Sequence, residues 1–68
     1  MNSELKAIRE RVGLSQTALA LKAGIEPSRM SYYERGRRPC QRNAKRIADA
    51  LGVNVRELWP EFDTLRAW

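Results

Sequence analysis

Apolar positions return every three or four residues along most of the chain, the pattern of short helices buried on one side. Leu5, Ile8 and Val12 form the first stripe, and Asn2 or Ser3 can cap its start. Lys6, Arg9, Glu10 and Arg11 fill the rest of that helix's circumference. Gly13 then stops it, and Leu14 returns the chain to the core. A second helix is predicted over Gln16 to Ala23, capped by Ser15, with Leu19, Ala20 and Ala23 inward. Gly24 turns the chain and Ile25 plugs the corner. Pro27 suits the first position of a third helix, because the N–H it lacks would have no partner there.

In that third helix Met30 and Tyr33 face inward, while Ser28, Arg29, Ser31 and Tyr32 face partly or wholly outward. Tyr32 and Tyr33 compete for one core position, and helical phase with Met30 favours Tyr33. Gly36 ends the helix, and Arg37-Arg38-Pro39 reads as an extended basic loop. A fourth helix runs from Gln41 to Leu51 with Ala44, Ile47, Ala48 and Leu51 on its apolar stripe and Gly52 as its stop. Val53 packs back, Asn54 can cap, and Val55 to Trp59 makes a short fifth helix ended by Pro60. The expected fold is all-α, a compact bundle of five short helices. Residues 60–68 add an apolar tail with Phe62, Leu65 and Trp68 at three-residue spacing.

Charge changes this picture. Thirteen Lys and Arg against eight Asp and Glu leave a net charge of +5. The segment Arg29 to Arg46 alone carries +6, with seven basic residues and one acid, Glu34, so the other 50 residues sum to −1. One face is therefore strongly positive, which suits a phosphate backbone or an anionic membrane. Cys40 is the only cysteine, which excludes an intrachain disulfide and fits a reducing compartment. Histidine is absent, and with it the commonest metal ligand and general base. With no Gly-rich phosphate loop and no paired acids in a plausible cleft, an enzyme is not expected, nor any metal, cofactor or small-molecule ligand. MNSELKAIRERV lacks the apolar centre of a signal peptide, and no run is long enough to span a bilayer, so a cytoplasmic protein without membrane partners is expected.

Ser15 to Gly36, two short helices about a tight turn, has the form of a helix-turn-helix, a pairing in which a small residue at the crossing and the glycine allow close approach. The run LKAIRERVGLSQTALALKAGIEPSRMSYYERGRRP, followed by KRIADALGVNVREL, resembles the lambda-repressor-like (Xre/Cro) family of DNA-binding domains over Leu5 to Leu58. The resemblance implies a helix-turn-helix domain over residues 1–59 formed by helices two and three, acting as a transcriptional regulator of the prokaryotic or phage type. The expectation is a repressor that reads a palindromic operator in double-stranded DNA as a homodimer. It implies that helix three lies in the major groove, with Ser28, Arg29 and Tyr32 nearest the bases. Arg29 suits a guanine, and Tyr32 a thymine methyl or a phosphate. Gln16 looks like the family's phosphate-binding glutamine, Arg35, Arg37, Arg38 and Arg42 match its backbone clamp, and Arg9 and Glu34 resemble its recurrent ion pair.

Four residues depart from the family pattern. Glu26 stands where a capping Ser is common, Ala18 where Glu would complete a capping box with Ser15, and Cys40 where Ser or Thr often caps. Leu21 is apolar on a face expected to meet solvent. Trp59, Phe62, Leu65 and Trp68 either close the monomer's core or meet a second copy, and a homodimer to which the tail from Trp59 onward contributes is the expectation. The alternative function is a protein-interaction module, such as an antitoxin-like partner whose tail clasps another protein, with DNA binding secondary.

Overall fold

The computed structural model describes residues 3–60. Their elements are five helices: α1 (Ser3–Val12), α2 (Gln16–Ala23), α3 (Pro27–Glu34), α4 (Gln41–Leu51) and α5 (Val55–Leu58). Among the described residues there is no strand. The expected helix positions match, and the boundaries differ at two ends. Helix α3 stops at Glu34, with Arg35 as its C-cap and Gly36 one residue beyond at φ 118°. The N–H of Arg37 donates to the Tyr32 carbonyl at 3.1 Å and that of Gly36 to Tyr33 at 3.2 Å, the pair of bonds by which a left-handed residue closes a helix. Helix α5 ends at Leu58, because Trp59 leaves helical geometry at φ −135° and ψ 83°.

Helix α2 is the hub. It packs most extensively on α4 and next on α3. Leu19, Ala20 and Ala23 of α2 are buried, as are Ala44, Ile47, Ala48 and Leu51 of α4. Small alanines on both helices allow a close approach, and the larger residues fill the space around the contact. Leu5, Leu19, Met30 and Ile47 are the largest side chains wholly removed from solvent. Burial of each contributes roughly 1.5–3 kcal/mol relative to leaving it in water.

Ser15 caps α2, its hydroxyl accepting from the Ala18 N–H at 3.0 Å. Half of the capping box thus persists although Ala18 supplies no acid. At α5 the complementary half is present, with the Asn54 N–H donating to Glu57 Oε2 at 2.7 Å. Glu26 and Cys40 stand at the N-caps of α3 and α4, and neither side chain caps.

Gly24 corrects one expectation. It adopts φ 72°, ψ 35°, yet a Cβ built there would meet nothing within 4 Å. The turn needs glycine for its left-handed backbone and not for close helix approach. Gly24→Ala is therefore expected to destabilise the fold by about 1–2 kcal/mol, and Gly24→Asn by less, since asparagine tolerates this conformation. Urea unfolding followed by circular dichroism measures both, and an alanine variant as stable as the parent would remove the conformational argument.

Val12 is a second correction. Expected on the core stripe of α1, it is 47% exposed. It lies in the last turn of the helix, and Leu14, brought back by the turn at Gly13, packs on the core instead. Leu21 is 73% exposed, as its phase on α2 requires. Trp59 is 4% exposed and belongs to the core cluster, as does Leu58. Phe62, Leu65 and Trp68 lie outside the described residues.

Candidate nucleic-acid interface

Arg9 was expected on the solvent side of α1, apart from its resemblance to an ion-pairing residue, and it is only 8% exposed. Its Nε donates to Glu34 Oε2 at 2.5 Å and its Nη2 to Glu34 Oε1 at 3.2 Å, a two-point fork onto the last residue of α3. Arg9 Nη1 also donates to the Leu14 carbonyl at 2.8 Å. Gln16 Nε2 adds a bond to Glu34 Oε1 at 3.0 Å. One carboxylate thereby joins α1, the start of α2 and the end of α3, and Arg9 itself adds the tie to the α1–α2 link. Among the described residues no buried side-chain nitrogen or oxygen lacks a partner.

The bond from Gln16 to Glu34 is the part the sequence did not disclose. A primary amide has two hydrogens. With one directed to Glu34, the half-buried Gln16 side chain is held in place and keeps a second amide hydrogen.

Helix α3 presents Ser28, Arg29 and Tyr32 to solvent while Met30 and Tyr33 anchor it beneath. Tyr33 is 6% exposed and Tyr32 49%, which settles their competition for the core as helical phase favoured. Asn43 Nδ2 of α4 donates to the Tyr33 hydroxyl at 3.2 Å, a second tie between the helices. The guanidinium of Arg35 lies 5.9 Å from the centroid of the Tyr32 ring. An exposed cation–π contact of this kind contributes about 0.5–1 kcal/mol and restrains both side chains.

Two shallow grooves flank Arg29. The larger, about 370 Å³, is lined by Arg29, Tyr32, Tyr33, Arg37, Arg38, Pro39, Cys40 and Asn43. The smaller, about 220 Å³, is lined by Gly24, Ile25, Glu26, Arg29, Asn43 and Arg46. Arg29 and Asn43 border both, so they form the ridge between them. The structure thus gathers Arg29, Tyr32, Arg37 and Arg38 about one groove, with Arg35 on the Tyr32 ring. Arg42 is exposed in the first turn of α4, outside both groove linings.

Asn43 and Arg46 were not singled out as site residues from the sequence, and Glu26 stood out there only as a departure from the family's capping residue. Asn43 stands four residues before Ile47, at the edge of the α4 stripe, and that position was its only signal. Arg46 was visible as one charge in the basic run. No group of His, Cys, Asp or Glu among the described residues could hold a metal ion, and none of their helices is long and apolar enough to cross a membrane.

The surface combines an exposed helix face carrying Ser28, Arg29 and Tyr32 with a rim of exposed arginines, features suited to an anionic duplex. Comparison with known families gives a match to the model described as helix-turn-helix over residues 5–58. Comparison with curated proteins and with solved structures finds no match.

Proposed function

The chain belongs to the lambda-repressor-like (Xre) helix-turn-helix family of DNA-binding transcription regulators, and from that premise we propose that it is a repressor reading a palindromic operator as a homodimer. The observation that carries this reading is the exposed face of α3, where Ser28, Arg29 and Tyr32 project together above the buried Met30 and Tyr33. Arg29 takes the two acceptors of a guanine, O6 and N7, while Ser28 bonds a neighbouring edge and Tyr32 lies against a thymine methyl. Gln16, Arg35, Arg37, Arg38 and Arg42 hold the phosphates on either side and set the register. The dimer places its two α3 helices in successive major grooves about 34 Å apart. The protein works in the cytoplasm, on the nucleoid.

The roles separate by measurement. Arg29→Ala should relax base preference, with a cost of about 1–3 kcal/mol on the preferred duplex and little on a random one. Arg37→Ala should weaken both duplexes alike. Selection from a random duplex pool followed by fluorescence anisotropy on selected and scrambled sequences checks this. Equal losses on both duplexes for both variants would refute the assignment. The solution mass, with and without duplex, decides the dimer.

A further inference from the structure

Glu26 is the one acid at the reading end of α3, and the role proposed for that helix leaves it unexplained. It is exposed, with extended backbone at φ −65° and ψ 137°, and its side chain makes no capping bond. Its main chain is fixed, because its carbonyl accepts from the N–H groups of Arg29 at 3.0 Å and Met30 at 3.2 Å. Among the described residues no cation pairs with its carboxylate, although Arg29 and Arg46 line the same small groove. A carboxylate on this face opposes every phosphate that approaches. That cost is offset where the bound duplex offers it a hydrogen-bond donor.

We infer that Glu26 is a specificity-determining residue whose carboxylate accepts a hydrogen bond from the N4 amino group of a cytosine in the major groove. The inference rests on the DNA-reading role proposed for α3. Two bases offer amino donors in that groove, cytosine at N4 and adenine at N6. Adenine sets its amino group beside the N7 acceptor, which repels a second carboxylate oxygen, whereas cytosine presents the donor alone. Guanine and thymine present no donor on the major-groove edge, so a carboxylate disfavours both. A C·G pair carries the guanine acceptors that suit an arginine directly beside the cytosine donor that suits an acid. Glu26 and Arg29 lie within one turn and border one groove, so they can address one such pair or adjacent pairs. Glu26 thereby excludes bases that Ser28 and Arg29 alone would accept.

The simpler role for Glu26 is to stabilise α3 through the helix dipole, and the test separates the two. Wild type, Glu26→Ser, Glu26→Gln and Arg29→Ala are each used to select from a random duplex pool and are melted in parallel. Wild type should enrich cytosine beside the guanine whose enrichment Arg29→Ala abolishes. Both Glu26 variants should lose that cytosine preference, from about five- to tenfold down to below twofold, and keep the rest of the motif. Glu26→Ser supplies a capping side chain and should melt no lower than wild type. Retention of the cytosine preference in both Glu26 variants, or its absence in wild type beside an intact guanine preference, overturns the inference. A wild-type pool with no enriched position overturns instead the sequence-reading function itself, and the inference with it.

Discussion

Replacing Arg9 by alanine is expected to remove about 3–5 kcal/mol, a large share of the stability of so small a domain. The substitution removes three donated hydrogen bonds at once, two to Glu34 and one to the Leu14 carbonyl. It also leaves the Glu34 carboxylate, whose side chain is 5% exposed, without its counter-charge. Loss of one partner from a buried pair costs about 3–5 kcal/mol, most of it the penalty of an uncompensated charge. A domain of this size holds only about 3–10 kcal/mol of total stability. Glu34→Gln should cost less, because the amide oxygen can still accept from the arginine. Arg9→Met with Glu34→Leu should recover much of the loss, since an apolar pair of similar volume escapes the desolvation penalty. Urea unfolding at low and high salt gives the answer. A single variant within about 1 kcal/mol of wild type, or a cost that vanishes in 1 M salt, would mean the pair behaves as a solvated surface contact.

DNA affinity should fall by about three to four powers of ten between 50 and 200 mM salt. The arginines at 35, 37, 38 and 42, with Gln16, can engage three or four phosphates per subunit. Each phosphate neutralised by a cation contributes about −0.9 to the slope of log affinity against log salt, so a dimer should show a slope of roughly −5 to −7. A monomer binding alone would show about half of that. Arg37→Ala should reduce the steepness by about one for each subunit bound, whereas Glu26→Ser, which removes no phosphate contact, should not reduce it. Titration across the salt range by fluorescence anisotropy reads both quantities. A flat response would exclude the electrostatic clamp.

Helix starts and stops could be read directly, because they depend on groups a few residues apart. Ser15 reaches the Ala18 N–H, Gly24 supplies a left-handed turn, and Pro27 opens α3, each through chemistry confined to one helical turn. Buried faces could be read from phase where the helix lies well inside the bundle, as for Leu19, Met30 and Ile47. Phase failed at Val12, whose burial depends on how far the last turn of α1 extends past its neighbours. The pairing of Arg9 with Glu34 came from family resemblance, since no spacing in the chain links residues 25 positions apart. The Gln16 bond to the same carboxylate, across 18 positions, had no sequence signal at all.

The sequence by itself determined five helices, their caps and turns, and the positive field concentrated beyond α3, all properties of composition and of neighbours along the chain. Tertiary structure alone decided that one carboxylate, Glu34, would hold α1, α2 and α3 together while orienting Gln16. It also decided that Asn43 would secure Tyr33 and that Arg29 would stand between two grooves with Glu26 beside one of them. The physical reason is that each of these depends on where distant segments come to rest once the core around Leu19 and Ile47 has closed. A local pattern carries no record of that distance.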